Sequence, residues 1–250
     1  MLYKNLSLLV IVSFLYNFSS AQNSRPATDT EIVVINKAVN AIVPLIDRFQ
    51  NETWRKDEGG ADAPQDYSVQ MHPNVVMGVA PFNDWHFNIR PGSDYYNQNI
   101  KPYYDKLSSN QIPVNDAKAM EKLQKEGQKI KQESNLYVEV HVNEAGIPVN
   151  PVKNSAADLK IPGCYFAYKQ QTDNLIGTDR NIPDSYVLVF GKWENTKLVA
   201  GLSEHYFKFK HAIGSPYIEN IVIIISGSPE RFKELLATTN WQSVNEGLTN

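Results

Sequence analysis

The chain is poor in cysteine, since Cys164 is the only one among 250 residues. An internal disulfide is therefore excluded, and so is a structural zinc site built from several cysteines. The fold must be stabilised by the packing of apolar side chains. Cys164 begins an alternating apolar segment, in which cysteine behaves as a small hydrophobic residue. We therefore expect this thiol to be buried and not to act as a nucleophile.

The sequence also lacks a marked excess of charge of one sign. It has 24 basic and 27 acidic residues, which gives a formal net charge of −3. Binding to nucleic acid calls for a basic stripe, and binding to anionic lipid calls for a basic cluster. Neither pattern occurs in this sequence, so we expect no nucleic-acid partner and no polybasic membrane anchor.

Long apolar runs are missing apart from one near the N-terminus. Residues 6–18 form this run, which follows Lys4 and precedes the small residues at 19–21. It is shorter than the roughly 20 apolar residues that cross a membrane, and its flanks are typical of a cleaved signal peptide. We predict that residues 1–21 are removed before Gln22 and that the mature protein is secreted or periplasmic, without a membrane anchor. An uncleaved signal anchor is the alternative.

Two long segments have the three-to-four-residue apolar spacing of amphipathic helices. The first begins at Thr28, with Glu31 placed for a capping box, and is predicted to fade near Trp54 after a kink at Pro44. The second, Asn115–Glu133, is highly charged. It is predicted to lie on the surface, with its first residue as the N-cap.

The second half of the chain has the period-two alternation of β-strands. Short connections between successive strands require antiparallel neighbours. Ile221–Ile225 is apolar at every position, which predicts a central strand that is covered on both faces. We therefore predict an α+β fold: a mainly antiparallel sheet with helices segregated to one face or end. It forms a single domain over residues 22–250, with a possible weak boundary near residue 135. The predicted strands are 67–71, 75–79, 84–90, 136–143, 164–169, 186–190, 197–200, 204–211 and 221–225, with a hairpin near 193–195.

Motifs for common catalytic chemistry are missing. The sequence contains no Gly-x-Ser-x-Gly, no His-Glu-x-x-His and no glycine-rich cofactor fingerprint. Ser226 and Ser228 lie at a predicted strand-to-helix turn that lacks the flanking glycines of a nucleophile elbow, so we expect Ser228 to cap the final helix. The four carboxylates of residues 57–66 do not have the spacing of an EF-hand loop. We predict that the protein uses no cofactor.

The most specific candidate site combines two histidines and two carboxylates. Alternation places Glu139 and His141 on one face of a predicted strand, and Asp84 and His86 repeat the arrangement on another. If the two strands are neighbours, the four side chains converge, and such a cluster can bind a divalent metal or act as a general base. That interpretation leads to a secreted hydrolase, with or without a metal. The alternative is a polar sheet face that meets solvent.

Tyrosines are the other candidates for a binding site. Tyr96 and Tyr103 belong to two tyrosine pairs in a helix-like stretch that follows Trp85. A tyrosine ring is a stiff apolar plate with a polar rim, which suits contact with a protein, a glycan or a small molecule, whereas packing in the core is the alternative. A glycosylation sequon, 51–53, falls on the first predicted helix. We therefore predict an exported, non-catalytic binding protein, and enzymatic activity remains an open alternative.

Overall fold

A computed structural model describes residues 24–70, 75–79, 82, 84–109, 116–148, 159–170, 185–193 and 204–249. At 147, 148, 170 and 204–206 only the backbone is described. The predicted signal peptide, the predicted strand 197–200 and most of the hairpin near 193–195 lie outside these residues.

The largest of the three described sheets has six strands and is antiparallel throughout. The described strands are β1 (Ser24–Pro26), β2 (Trp54–Glu58), β3 (Ser68–Gln70), β4 (Gly78–Val79), β5 (Trp85–Ile89), β6 (Asn135–Val142), β7 (Gly146–Pro148), β8 (Phe166–Gln170), β9 (Ser185–Gly191), β10 (Glu204–Tyr206) and β11 (Asn220–Gly227). The main sheet has the order β2-β5-β6-β11-β9-β8, while β1-β3-β4 and β10-β7 form two small sheets. The all-apolar strand β11 lies between β6 and β9, which confirms the predicted central strand.

The described helices accompany a sheet whose strands are all antiparallel, which confirms the predicted α+β fold. The described helices are α1 (Asp29–Asp47), α2 (Lys101–Ser108), α3 (Ala117–Ser134) and α4 (Pro229–Thr238), with a π-helical turn at Tyr96–Ile100 and 3₁₀ segments at Pro64–Asp66 and Trp241–Gly247. None of these described helices has the length and apolarity needed to cross a membrane.

One face of the main sheet carries the main core, which is covered by α1, α4 and the 3₁₀ segment at 241–247. Phe49, just after α1, packs against Phe87 of β5 and Trp241, with ring centroids 5.8 and 6.3 Å apart respectively. Tyr186 of β9 stacks on Phe232 of α4. Burial of these large rings between helix and sheet removes much apolar area from water and so stabilises the fold.

The N-terminus of α1 is closed by the predicted capping box. Thr28 Oγ1 accepts from the backbone N–H of Glu31, and the Glu31 carboxylate accepts from the Thr28 N–H. Arg25 donates two hydrogen bonds to the same carboxylate and lowers the pKa of Glu31 to about 2. The predicted C-terminal end is wrong, because α1 ends at Asp47 and Trp54 opens β2 instead.

The charged helix α3 is capped by Asp116, which accepts from the N–H groups of Lys118 and Ala119. The predicted cap, Asn115, lies outside the described residues. Along α3, Gly127 allows the ring of Tyr103 in α2 to lie directly on the helix backbone. A Cβ at Gly127 would be only 2.2 Å from the Tyr103 hydroxyl oxygen, so any larger residue would force the Tyr103 ring to move.

The second face of the main sheet is divided into two halves. Over β8, β9 and β11, a small second core forms between strand residues such as Val189 and Val222 and the covering side chains of Trp193 and Phe207. Over β5 and β6, the same face carries polar side chains that are exposed or half-buried. We call this second region the open half. It consists of Asp84, His86, Asn88, Asn135, Tyr137, Glu139 and His141.

Candidate functional site

Strands β5 and β6 are neighbours, which is the condition on which the predicted histidine–carboxylate site depends. Their antiparallel register pairs Trp85 with Val138 and His86 with Tyr137. Trp85 and Val138 face the main core and are fully buried. The side chains on alternate positions therefore point into the open half, as strand geometry requires.

The register brings only part of the predicted cluster together. His86 is level with Tyr137, and His141 lies four positions further along β6, which is about 13 Å at the usual rise per residue. The two histidines therefore do not converge. Continuing the register by one step past Trp85 places Asp84 level with Glu139. Asp84 is exposed, and its carbonyl lies against Gly59, where φ is +90° and a Cβ would be 1.6 Å from the Asp84 oxygen.

His141 lies between two carboxylates. Its Nε2 is 3.3 Å from Glu139 Oε2, and its Nδ1 is 3.2 Å from Glu144 Oε1. These contacts, of which the one with Glu139 is the stronger, raise the pKa of His141 to about 9. The pKa of Glu139 is lowered by the same hydrogen bond. At neutral pH the cluster is therefore an imidazolium between two carboxylates, with a net charge of −1.

This arrangement decides which chemistry His141 can perform. Because both ring nitrogens donate to carboxylates, neither has a lone pair for a metal ion or for a proton from a substrate. The described residues contain no group of three metal-ligating side chains that are placed to hold an ion. The geometry therefore gives no support to the general-base or metal-dependent interpretation of Glu139 and His141.

Glu144 was missed by the sequence reasoning, and Asn220 explains how it is positioned. Asn220 is fully buried, and its side-chain amide accepts from the Glu144 N–H at 2.8 Å and donates to the Glu144 carbonyl at 3.0 Å. Asn143, immediately before Glu144, has a left-handed φ of 58° and is held by hydrogen bonds to the carbonyls of Met77 and Tyr217. The turn after β6 thus returns Glu144 towards His141, which alternation along a strand cannot reveal.

A pair of stacked aromatic rings lies beside this ionic cluster. The rings of His86 and Tyr137 are stacked with centroids 4.2 Å apart and an interplanar angle of 11°. His86 Nε2 is 3.4 Å from Asn135 Oδ1, which fixes the imidazole. Tyr137 is 42% exposed, although large apolar side chains are usually buried in a sheet. The open half therefore presents an aromatic surface next to two carboxylates.

The two tyrosines that were predicted as binding plates have other contacts. Tyr103 rests on Gly127 of α3, and Tyr96 is half-buried against the main core. Each therefore has a packing role that explains its aromatic ring. Tyr137, which occupies a strand position, was not among the predicted binding residues.

Three further sequence predictions concern single residues. Ser228 caps α4 as predicted, with its Oγ accepting from the Arg231 N–H at 3.3 Å. Cys164 is half-buried, and burial raises the pKa of its thiol to about 12, so the thiolate is disfavoured. The sequon residue Asn51 lies in an exposed turn between α1 and β2, and its predicted place on the first helix is wrong.

The candidate site is thus a polar strip on the open half, with an ion cluster at one end and a stacked aromatic pair at the other. Comparisons with family models, with curated proteins and with solved structures find no match for this chain.

Proposed function

We propose that this protein binds a polyhydroxylated ligand, such as a glycan, without covalent chemistry, and that it does so after export from the cytosol. The ligand docks on the open half of the main sheet. Tyr137 stacks against the apolar face of a sugar ring, and Glu139 and Glu144 accept hydrogen bonds from its hydroxyl groups. The signal-peptide pattern of residues 1–21 supports the proposed compartment.

The main support for the proposal is the difference in cover between the two halves of one sheet face. Aromatic side chains shield the β8–β9–β11 half, whereas the β5–β6 half keeps Tyr137 exposed although it adjoins the same central strand. A stiff aromatic ring with a polar edge is suited to contact the apolar side of a ligand whose other side stays hydrated. The adjacent carboxylates are pure acceptors, which suits a ligand rich in hydroxyl donors.

The charge state of the cluster favours binding over hydrolysis. A glycoside hydrolase pairs a carboxylate with a second carboxyl group whose pKa is raised, so that it can donate a proton. Here the pKa of Glu139 is lowered by its bond with His141. Glu139 is consequently a poor proton donor near neutral pH, and the side chains act as fixed hydrogen-bonding groups.

A glycan array probed with residues 22–250 tests the ligand class. We expect specific glycans to be retained by the wild type, and Tyr137→Ala to weaken that binding by about tenfold or more, because stacking on one aromatic ring contributes roughly 1–3 kcal/mol. Tyr165→Ala is a matched control, since Tyr165 is also an exposed tyrosine, at 51%, but lies beside β8. Equal losses in the two variants, or no glycan retained at all, would contradict the proposal.

The proposed compartment has its own test. The full chain, expressed with its own N-terminus in a secreting host, is expected to appear outside the cytosol with Gln22 as its first residue, and N-terminal sequencing checks this. Recovery of material that still begins at Met1 from the cytosol would argue against export, and it would leave the array result unaffected.

A further inference from the structure

The helices α2 and α3 lie side by side and are joined by two contacts. The ring of Tyr103 rests on Gly127, where any side chain would collide with it. Lys106 Nζ is 3.4 Å from Glu126 Oε2, which adds an ion pair between the helices. The surface that the two helices share is therefore already formed, and a partner that binds there meets little cost of ordering it.

A groove of about 530 Å³ opens between these two helices, and its lining is mostly apolar. The apolar members are Tyr103, Leu107, Ala117, Met120 and Leu123, and the lining is completed by Glu121 and Gln124. Met120 is 41% exposed, which leaves an adaptable apolar side chain in contact with water. Exposed apolar surface that is gathered in a groove is typical of a site that another molecule covers.

One flank of the groove is basic. Four exposed lysines recur at the spacing of successive turns along one face of α3, and we call them the lysine stripe: Lys118, Lys122, Lys125 and Lys129. Lys125 Nζ is 2.7 Å from Oε1 of Glu121, which lines the groove. The lysine stripe therefore borders the groove.

The lysine stripe carries more positive charge than its neighbours neutralise. Lys125 and Lys129 each pair with a glutamate four residues away. Lys118 and Lys122 have no acidic partner in the part of the chain that the structure describes. Because the whole chain has a formal net charge of −3, this positive flank is a local feature and calls for a negatively charged partner.

From this arrangement we infer that the groove between α2 and α3 docks an amphipathic α-helix of another protein, which carries acidic side chains along one edge of its apolar face. The apolar face enters the groove against Met120 and Leu107. The acidic edge lies along the lysine stripe, where Lys118 and Lys122 complete their ion pairs. Docking of a helix by its apolar face into a groove is a common mode of recognition between proteins.

A second copy of this chain and a lipid surface fit the groove less well. A symmetric dimer through this surface would bring two lysine stripes together, and like charges repel. The groove is a depression between two helices, so a third helix can lie in it along its length, whereas a lipid surface is flat.

Fluorescence anisotropy tests the inference with a labelled peptide of about 18 residues, which is long enough to form a helix. The peptide has leucines at helical spacing and glutamates along one edge, and a control peptide has lysine in place of every glutamate. We expect residues 22–250 to bind the glutamate peptide saturably and the lysine peptide at least about tenfold more weakly. Equal affinities for the two peptides, or no saturation with the glutamate peptide, would overturn the inference.

A pair of variants places the binding in the groove. Met120→Gln is expected to weaken the glutamate peptide by about tenfold, because it puts an amide where the apolar face docks. Val33→Gln introduces the same amide at an apolar side chain of α1 that is 70% exposed, and it should bind like the wild type. Both positions are exposed, so neither change threatens folding. Equal affinities in these two variants would contradict the proposed site.

A pair of double variants tests the charge. Lys118→Gln with Lys122→Gln is expected to weaken the glutamate peptide by about tenfold and to leave the lysine peptide no weaker. Lys160→Gln with Lys208→Gln removes the same charge at two exposed positions outside the groove lining and the lysine stripe. If both double variants lose affinity equally, the attraction is non-specific and the inference fails.

Two further measurements address the other occupants. Analytical ultracentrifugation reports self-association of the protein, and co-sedimentation with vesicles of phosphatidylserine and phosphatidylcholine reports lipid binding. We expect Met120→Gln to change neither result. Loss of self-association or of vesicle binding in that variant would assign the groove to a second copy or to lipid, and the inference would be wrong.

Discussion

The two halves of the second face of the main sheet both adjoin the central strand β11, but one half is apolar and the other is polar. Over β8, β9 and β11, this side carries a continuous apolar layer that Trp193 closes; its strand members are Phe166, Tyr168, Val187, Val189, Val222 and Ile224. Over β5 and β6, the equivalent positions carry ionisable groups, amides and one exposed tyrosine. The difference shows that one half adds a buried apolar layer, whereas the other leaves its polar side chains open to solvent.

The largest expected effect comes from removing the cover of the apolar half. Trp193 is fully buried, contacts Phe207 and Phe166 through its ring, and donates its indole N–H to the Phe190 carbonyl. We expect Trp193→Ala to lower the free energy of unfolding by about 3–5 kcal/mol, because it leaves a large cavity and removes the indole hydrogen bond. Urea denaturation measures this loss. A loss below about 1 kcal/mol, the size expected at an exposed position, would mean that the two halves do not differ as described.

A smaller effect is expected at the boundary between the halves. Asn220→Ala deprives the Glu144 N–H and carbonyl of their partners, which we expect to cost about 2–4 kcal/mol in the free energy of unfolding. The same change should release Glu144 and lower the pKa of His141. NMR titration of the His141 ring checks the second effect, and an unchanged pKa would show that Asn220 does not position Glu144.

The next effect is a dependence of stability on pH. His141 has a folded-state pKa of about 9, above the roughly 6.5 of an unfolded chain. The contribution of His141 to the free energy of unfolding is therefore fully present below about pH 6.5 and is lost as the pH rises through about 9. The side chain is 40% exposed, so we expect at most about 1 kcal/mol.

The control for this pH dependence is the His141→Gln variant, which keeps a hydrogen-bonding group but cannot be charged. Denaturation curves at pH 6 and pH 10 should differ more for the wild type than for the variant. If the variant loses as much stability on going to pH 10 as the wild type does, another group is responsible.

The smallest effect on the free energy of unfolding is expected at Tyr137, the exposed tyrosine of the open half. Tyr137→Ala removes a ring that is 42% exposed, and we expect the free energy of unfolding to change by no more than about 1 kcal/mol. The same variant should lose most of its glycan binding. A thermal melt alongside the array separates the two outcomes, and a large loss of stability would place Tyr137 with the structural residues instead.

Regular patterns predicted the fold class and several of the elements, but not the edge strand β2 of the main sheet. Alternation and the apolar run of β11 were enough to place the central strand, and Thr28 with Glu31 was enough to place the start of α1. The end of α1 was not predictable, because Trp54 fits an apolar helix face as well as the single buried position of the otherwise exposed strand β2. Local spacing carries no information about which partner an aromatic residue meets.

The candidate site was only half predictable. Glu139 and His141 follow from strand alternation, since both point to the same side. The contribution of Glu144 comes from a turn whose direction is fixed by the buried Asn220, which is distant in sequence. Such long-range hydrogen bonds leave no periodic trace in one sequence, and the register that separates His86 from His141 leaves none either.

The position of β11 has a consequence for the order of folding. This strand is the last of the main sheet in the chain, yet it supplies the inner partner of both β6 and β9. When the polypeptide emerges N-terminus first, the main sheet cannot be completed until residue 227 is available. Until then, β6 and β9 lack the strand that pairs with both of them. The main sheet can therefore close only once every residue from β2 to β11 is available to pack.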